Sequence, residues 1–361
     1  MKNYFIYRDD DFQEFWNIEQ ADAQVTVWFG KLGTDGETQA KAYGSVRAAE
    51  KEAQKLIKQK VKMGYEQVSE DAAGEAMGEK KYALSYEDYE DKGRDQIWLG
   101  KKILEDKRLP ELKSIIVGAW EETYEKSCQP ILDFLVEHKE SFQHIESFFI
   151  GDMEYDECEV SWIIQGNYER FLNAFPNLKI LRIKGATNLE LGALSHAGLR
   201  KLEIICGGLG EEVVRSVAEA SLPNLESLIL YIGVEDYGFN GGLNSLRPLL
   251  EKGRFPKLTE LGLVDSDMED EIVELVLASD ILPQLKKLHF SYGSLTDKGG
   301  QMLLDHGDRL AHLELLDLEY HYLTEDMVER LEQLPVEINA ANAQEPDEYG
   351  GEVYYYPMLT E

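Results

Sequence analysis

Apolar side chains return along this chain as a triplet, spaced i, i+3, i+5, from about residue 112 onward. The clear copies are Leu178, Leu181, Ile183; Leu199, Leu202, Ile204; Leu225, Leu228, Leu230; Leu258, Leu261, Leu263; Leu285, Leu288, Phe290; and Leu313, Leu316, Leu318. Looser copies stand at Leu112, Ile115, Val117 and at Ile145, Phe148, Ile150, and a half-copy at Val336, Ile338. The alternation at the end of each triplet predicts a short strand with one buried face. Between triplets the period lengthens to that of a helix, as in 210–220 and 324–331. In the second of these Thr324 supplies an N-cap, and Glu325 and Asp326 suit the positive end of the helix dipole. Phe175-Pro176, Leu222-Pro223, Phe255-Pro256, Leu282-Pro283 and Leu334-Pro335 are expected to stop helices and hand the chain to the next strand.

The last apolar positions fall at 117, 150, 183, 204, 230, 263, 290, 318 and 338, in steps of 20 to 33 residues. Such a repeat specifies an α/β protein built as a leucine-rich-repeat solenoid, with a parallel concave sheet and helices on the convex side. Strands stack about 4.8 Å apart and packed helices about 8–10 Å, so the helical side splays and the sheet lines the inner curve. The consensus Asn that follows each strand in such repeats is missing. Its place is taken by Trp120, Met153, Ala186, Gly207, Gly233, Ser266, Gly293 and His321, which predicts an irregular array. Segments 118–120, 151–166 and 320–323 resemble a bacterial cytoplasmic leucine-rich-repeat family of unassigned function. That resemblance runs from about residue 110 to the end and implies the fold without a ligand.

The first 68 residues follow a different pattern. Alternating runs at Phe15-Trp16-Asn17-Ile18 and Val25-Thr26-Val27-Trp28-Phe29, then Gln39–Tyr43, predict a small antiparallel sheet. A helix is expected from the N-cap Ser45 to about Met63, closed by Gly64. This order resembles the WGR domain of poly(ADP-ribose) polymerases and of bacterial MolR-type proteins, an α+β module. In eukaryotic relatives the signature Trp and Arg help recognise DNA ends. Here Phe29, Gly30 and Lys31 occupy the signature; Phe lacks the indole N–H, and Lys lacks the planar fork of Arg. The expected organisation is a WGR-like domain over 1–68, a linker and N-terminal cap over 69–109, and the repeat domain over 110–361.

Charge separates the two parts. Of 37 Lys+Arg and 69 Asp+Glu, residues 1–68 hold 10 and 11, leaving 27 against 58 in the remainder. A surface of net −31 repels phosphate backbones and favours a basic protein or peptide partner. Hydrophobic content of 43% is ample for packed cores and excludes wholesale disorder. Cys128, Cys158 and Cys206 are far apart and odd in number, which predicts free buried thiols in a reducing compartment. With no secretory h-region and no apolar run long enough for a bilayer, a cytoplasmic protein without membrane association is expected.

The residues between apolar positions should form ladders across the sheet. One reads Ile116, Phe149, Arg182, Glu203, Ile229, Gly262, His289, Asp317. The next, two residues on, reads Gly118, Gly151, Lys184, Ile205, Tyr231, Val264, Ser291, Glu319. Candidate partner-binding residues on this face and its rim are Trp120, Trp162, Tyr231, His289, Asp317, Glu319, Tyr320 and His321; Trp120 and Trp162 either anchor a partner or cap the first repeats. Ser291 and His289, two apart on one strand, lie about 6.5–7 Å apart, too far to form a nucleophile–base pair. No catalytic residues, cofactor or metal ligands are assigned, and a non-enzymatic interaction protein is expected. The acidic run Asp152, Glu154, Asp156, Glu157, Glu159 is either a solvated loop or a weak cation site. Lys51, Lys55, Lys58 and Lys62 share one helix face, either an ordinary solvated face or a patch for phosphate or acid. Weak nucleic-acid binding through 1–68 is the alternative function.

Overall fold

The five-residue spacing of each triplet sets where backbone meets backbone in this protein, seen here as a computed structural model. It describes residues 2–8, 13–32, 36–69, 73–74 and 78–359. Residues 33–35, and 70–72 and 75–77 of the expected linker and cap, lie outside the described residues. Two compact units are present: Met1–Lys81 with Glu111–Ile115, and Tyr82–Pro110 with Ile116–Glu361.

In the first unit, β1 (Lys2–Arg8), β2 (Gln13–Ala21), β3 (Gln24–Lys31), β4 (Glu37–Ala42) and β5 (Glu66–Val68) form an antiparallel sheet in the order β4-β3-β2-β1-β5. Alternation puts Phe5, Trp16, Ile18 and Val25 on one face, where α1 (Val46–Lys62) lays Ala49 and Ala53 against them. The Ser45 side chain accepts from Ala48 N at 3.2 Å, and Gly64 leaves the helix at φ +93, a conformation that suits glycine. Val61, in the last turn of the helix, is half exposed.

The second sheet has ten strands in unbroken sequence order. They are β6 (Glu79–Tyr82), β7 (Ser114–Val117), β8 (Ser147–Ile150), β9 (Ile180–Lys184), β10 (Lys201–Ile205), β11 (Ser227–Gly233), β12 (Glu260–Ser266), β13 (Lys287–His289), β14 (Leu315–Asp317) and β15 (Glu337–Asn339). From β8 to β15 each neighbouring pair is parallel. Every residue of the eight full triplets is at most 4% exposed, whereas Val336, just before the last strand, and Ile338 on it are half-buried. Burying one such side chain contributes about 1.5–3 kcal/mol, so these positions hold the sheet to the layer behind it. That layer includes α-helices Glu211–Glu219, which buries Val213, Val214 and Val217, and Glu269–Leu277, which buries Ile272, Val273 and Val276. Leu282-Pro283 sits inside a short turn and not at a helix end, the helix before it having stopped at Leu277.

The positions that lack the consensus Asn find separate solutions. His321 bridges backbone as that Asn would: Nδ1 accepts from Leu323 N at 3.0 Å, and Nε2 donates to Ala340 O at 3.0 Å. Burial lowers its pKa and keeps the ring in the neutral form this pattern needs. Gly207 and Gly233 instead let two turns touch. A Cβ on Gly233, at φ +68, would lie 1.8 Å from Gly207 O.

Candidate interaction surface

On the solvent side of the second sheet, parallel register aligns Phe149, Arg182, Glu203, Ile229, Gly262, His289, Asp317 and Asn339 in one row. Opposite charges meet along it. Arg182 Nε donates to Glu203 Oε2 at 2.8 Å and stacks over the Phe149 ring at 4.1 Å, while Lys201 Nζ reaches the same carboxylate at 3.1 Å. Burial alone would raise the Glu203 carboxyl; the charges of Arg182 and Lys201 outweigh it and hold the pKa below its ordinary value.

His289 is met by two carboxylates. Nδ1 lies 2.9 Å from Asp317 Oδ2, and Nε2 lies 3.3 Å from Glu260 Oε1, a residue two positions earlier in the neighbouring strand. Burial opposes the charge, but the two hydrogen bonds prevail and raise the imidazole to about 9. The His289 hydrogen bond in turn holds Glu260 at about 2. Asp317 is fixed from its other side by Asn339 Nδ2 at 2.7 Å. With both ring nitrogens engaged, this imidazolium has no lone pair with which to activate Ser291, which is itself buried.

Beside this row three tyrosine rings stack. Tyr231 and Tyr292 have centroids 5.8 Å apart, Tyr292 and Tyr320 5.1 Å, each pair tilted by 26°. Tyr292 and Tyr320 lie two residues past the last apolar position of their triplets, as Asp265 does, and all three have positive φ: 66, 59 and 59°. Bulky residues seldom adopt this conformation, which costs about 1–3 kcal/mol at each site and is typically kept where it serves recognition. The turn swings the two rings onto the ladder of Tyr231. Glu319 stands at their edge, accepting from Tyr292 Oη at 3.4 Å and from Asn342 Nδ2 at 2.8 Å.

The C-terminal segment lies against the same end of the sheet. Met358 N donates to Tyr292 O, and Leu359 N to Asp265 Oδ1, both at 2.8 Å. Tyr355 packs edge-on to Tyr322 at 5.1 Å, and Tyr322 Oη donates to Tyr356 O at 2.8 Å. Asp265 is fully buried and its Oδ2 has no partner among the described residues; burial raises its pKa to about 9 despite the two tail amides.

The other expected site residues are distributed as follows. Trp120 and His321, each 1% exposed, present no surface: the Trp120 indole turns inward and donates to Lys126 O at 2.8 Å. Trp162 is 59% exposed and Tyr320 half-buried. In the acidic run, Glu154 N is capped by Glu157 Oε2 at 2.9 Å, and Cys158 is buried. Among the described residues no group of three or more His, Cys, Asp or Glu converges as metal ligands, and all three thiols are free and buried. Lys51, Lys55, Lys58 and Lys62 are all exposed, Lys55 being paired to Glu52 at 2.7 Å. Phe29, Gly30 and Lys31 end β3 opposite Trp16, Phe15 and Glu14; Phe29 packs against the sheet core.

A family model for the WGR domain matches residues 1–72. Over 68 residues the chain is 38% identical to protein YehF of Escherichia coli K12, covering 19% of this chain and 25% of that protein. Over 67 residues it is 39% identical to the uncharacterized protein YfeS of the same organism, covering 19% and 28%. The chain thus spans about a quarter of the length of these curated relatives. A crystal structure of a Bacteroides fragilis protein superposes on it with a TM-score of 0.76 at 44% identity, covering 100% of both chains. No helix is long and apolar enough to cross a membrane among the described residues.

Proposed function

We propose, for a chain that belongs to the family of this Bacteroides fragilis protein and opens with a WGR domain, that it is a non-enzymatic binding protein. The ten-stranded sheet with its helices is read as an irregular leucine-rich-repeat solenoid, and its concave face takes a basic segment of a partner protein. The observation that carries this reading is the stack of Tyr231, Tyr292 and Tyr320, held by strained turns and edged by Glu319. Aromatic faces with carboxylates beside them attract Lys and Arg through ring quadrupole and charge together. The charge of −31 beyond residue 68 adds long-range attraction for the same partner.

The test is fluorescence titration of the full chain with a labelled lysine-rich peptide. Saturable binding is expected that weakens with salt and at least fivefold in Tyr320→Ala. No saturable binding, or equal binding by Tyr320→Ala, refutes the reading. The WGR match and the exposed lysine stripe favour a second reading, weak nucleic-acid binding, in which the stripe meets the phosphate backbone. Blunt-ended DNA in the same titration decides it: no binding even at low salt removes the idea.

A further inference from the structure

The first unit carries a groove of about 740 Å³ between α1 and the β3–β4 side of its sheet, a volume ordinary for a binding site. Its floor is Trp16, Val25, Val27 and Phe29, and its helical wall is Leu56 and Met63. The groove is open because α1 covers the middle of the sheet and leaves β4 bare: all six residues of Glu37–Ala42 are exposed, and β4 is the sheet's edge. Tyr43 N donates to Ala23 O at 2.7 Å. Hydrogen-bonded pairs recur at every second residue of an antiparallel ladder, so the amides of Gln39 and Lys41 turn inward. Those of Thr38, Ala40 and Ala42 turn outward, toward the edge left unpaired among the described residues. Gln39 and Lys41 share the groove face with their cross-strand partners Val27 and Val25.

Among the residues lining the groove Lys41 and Lys60 outnumber the one carboxylate, Glu52, and Glu14, which accepts from Tyr65 Oη at 2.7 Å, acts on Lys60 from nearby. Glu52 is neutralised by Lys55 at 2.7 Å. Lys41 lies over the Tyr43 ring at 5.3 Å, and Lys60 over Tyr65 at 4.4 Å and Trp16 at 5.7 Å. The Lys51, Lys55, Lys58, Lys62 stripe runs along the neighbouring face of α1, roughly 110° round from the groove residues at about 100° per residue.

We propose that this groove and the β4 edge together bind an extended acidic peptide segment of a partner protein, which adds as a strand beside β4. Its main chain pairs with the outward amides and every second side chain points to the groove face, apolar ones entering over Trp16 and Phe29 and carboxylates meeting Lys41 and Lys60. This site is separate from the tyrosine face and has the opposite charge preference, so either can fail alone. The test is binding to the full chain, by polarisation, of a fluorescein-labelled peptide that carries Val, Leu and Glu in turn at every second position, with Thr between them. Two controls are a peptide of the same composition with all Glu placed first, and one with Gln replacing Glu. The alternating acidic peptide is expected to bind at least tenfold tighter than either control. Ala40→Pro, which deletes an outward amide, and Lys41→Glu should each weaken it at least tenfold without changing circular dichroism. Should Ala40→Pro fail to fold, Lys41→Glu decides. No saturable binding, equal binding of a control, or wild-type affinity in the folded variants overturns the proposal.

Discussion

His289 keeps a charge inside the sheet face because carboxylates from the strands on both sides meet it. An imidazole that binds its proton more tightly folded than unfolded adds stability in full below its ordinary value of 6.5. That contribution disappears as pH rises through about 9. Glu260 is the mirror case: held at about 2, it contributes fully above its ordinary 4.5 and is lost as pH falls through about 2. The pair is therefore most stabilising between about pH 4.5 and 6.5. His289→Gln is expected to cost roughly 1–3 kcal/mol in that window, since it leaves Asp317 and Glu260 facing each other without the cation. The difference from wild type should narrow toward pH 10 in thermal unfolding, and the His289 ring should titrate near pH 9 by NMR. A midpoint near 6.5 would contradict the two-carboxylate clamp.

Between neighbouring turns, the contact of Gly207 with Gly233 is made by backbone alone, so no side-chain adjustment can admit a methyl group. Gly233→Ala is expected to destabilise by about 3 kcal/mol or more, combining the clash with a positive φ. Gly210→Ala is the unclashed control: nothing lies within 4 Å of its added Cβ, and a change of at most about 1 kcal/mol, from the poorer helix N-cap, is expected by chemical denaturation. Elements of this kind were partly legible beforehand. Triplet spacing located β7 to β14, and the ladder rule placed His289 beside Asp317 and Arg182 beside Glu203, because parallel register follows from burying identical positions. Glu260 escaped because it lies on a row two residues earlier and reaches His289 diagonally. Tyr292 escaped because a left-handed turn, invisible to a period-two reading, rotates its ring onto the ladder. Trp120 and His321, at the place of the consensus Asn, were expected among the face and rim residues, Trp120 with capping of the first repeats as its alternative; their turns fold inward, where backbone carbonyls accept their N–H groups.

Across the whole of the second sheet every strand pairs only with its neighbours in sequence, so most contacts are local and the array has two ends. The last strand is only half-buried, which makes that end the expected place for opening to begin. Nothing in residues 340–361 repeats, and no path was legible from them; the structure turns residues 340–359 back so that Leu359 N reaches Asp265, 94 residues earlier. Deleting residues 343–361 is expected to raise amide hydrogen-exchange rates in β14 and β15 at least tenfold while leaving β9 and β10 unchanged, as read by mass spectrometry. Uniform protection in the shortened chain would show that the return segment carries no such role. A chain of nearest-neighbour pairings can be peeled one strand at a time, like a zip pulled from its open end. The return of Leu359 to β12 fastens that zip: strands β12 to β15 must then come away together, as one unit, and a protease acting on the open end meets a block of four strands where it would otherwise meet one.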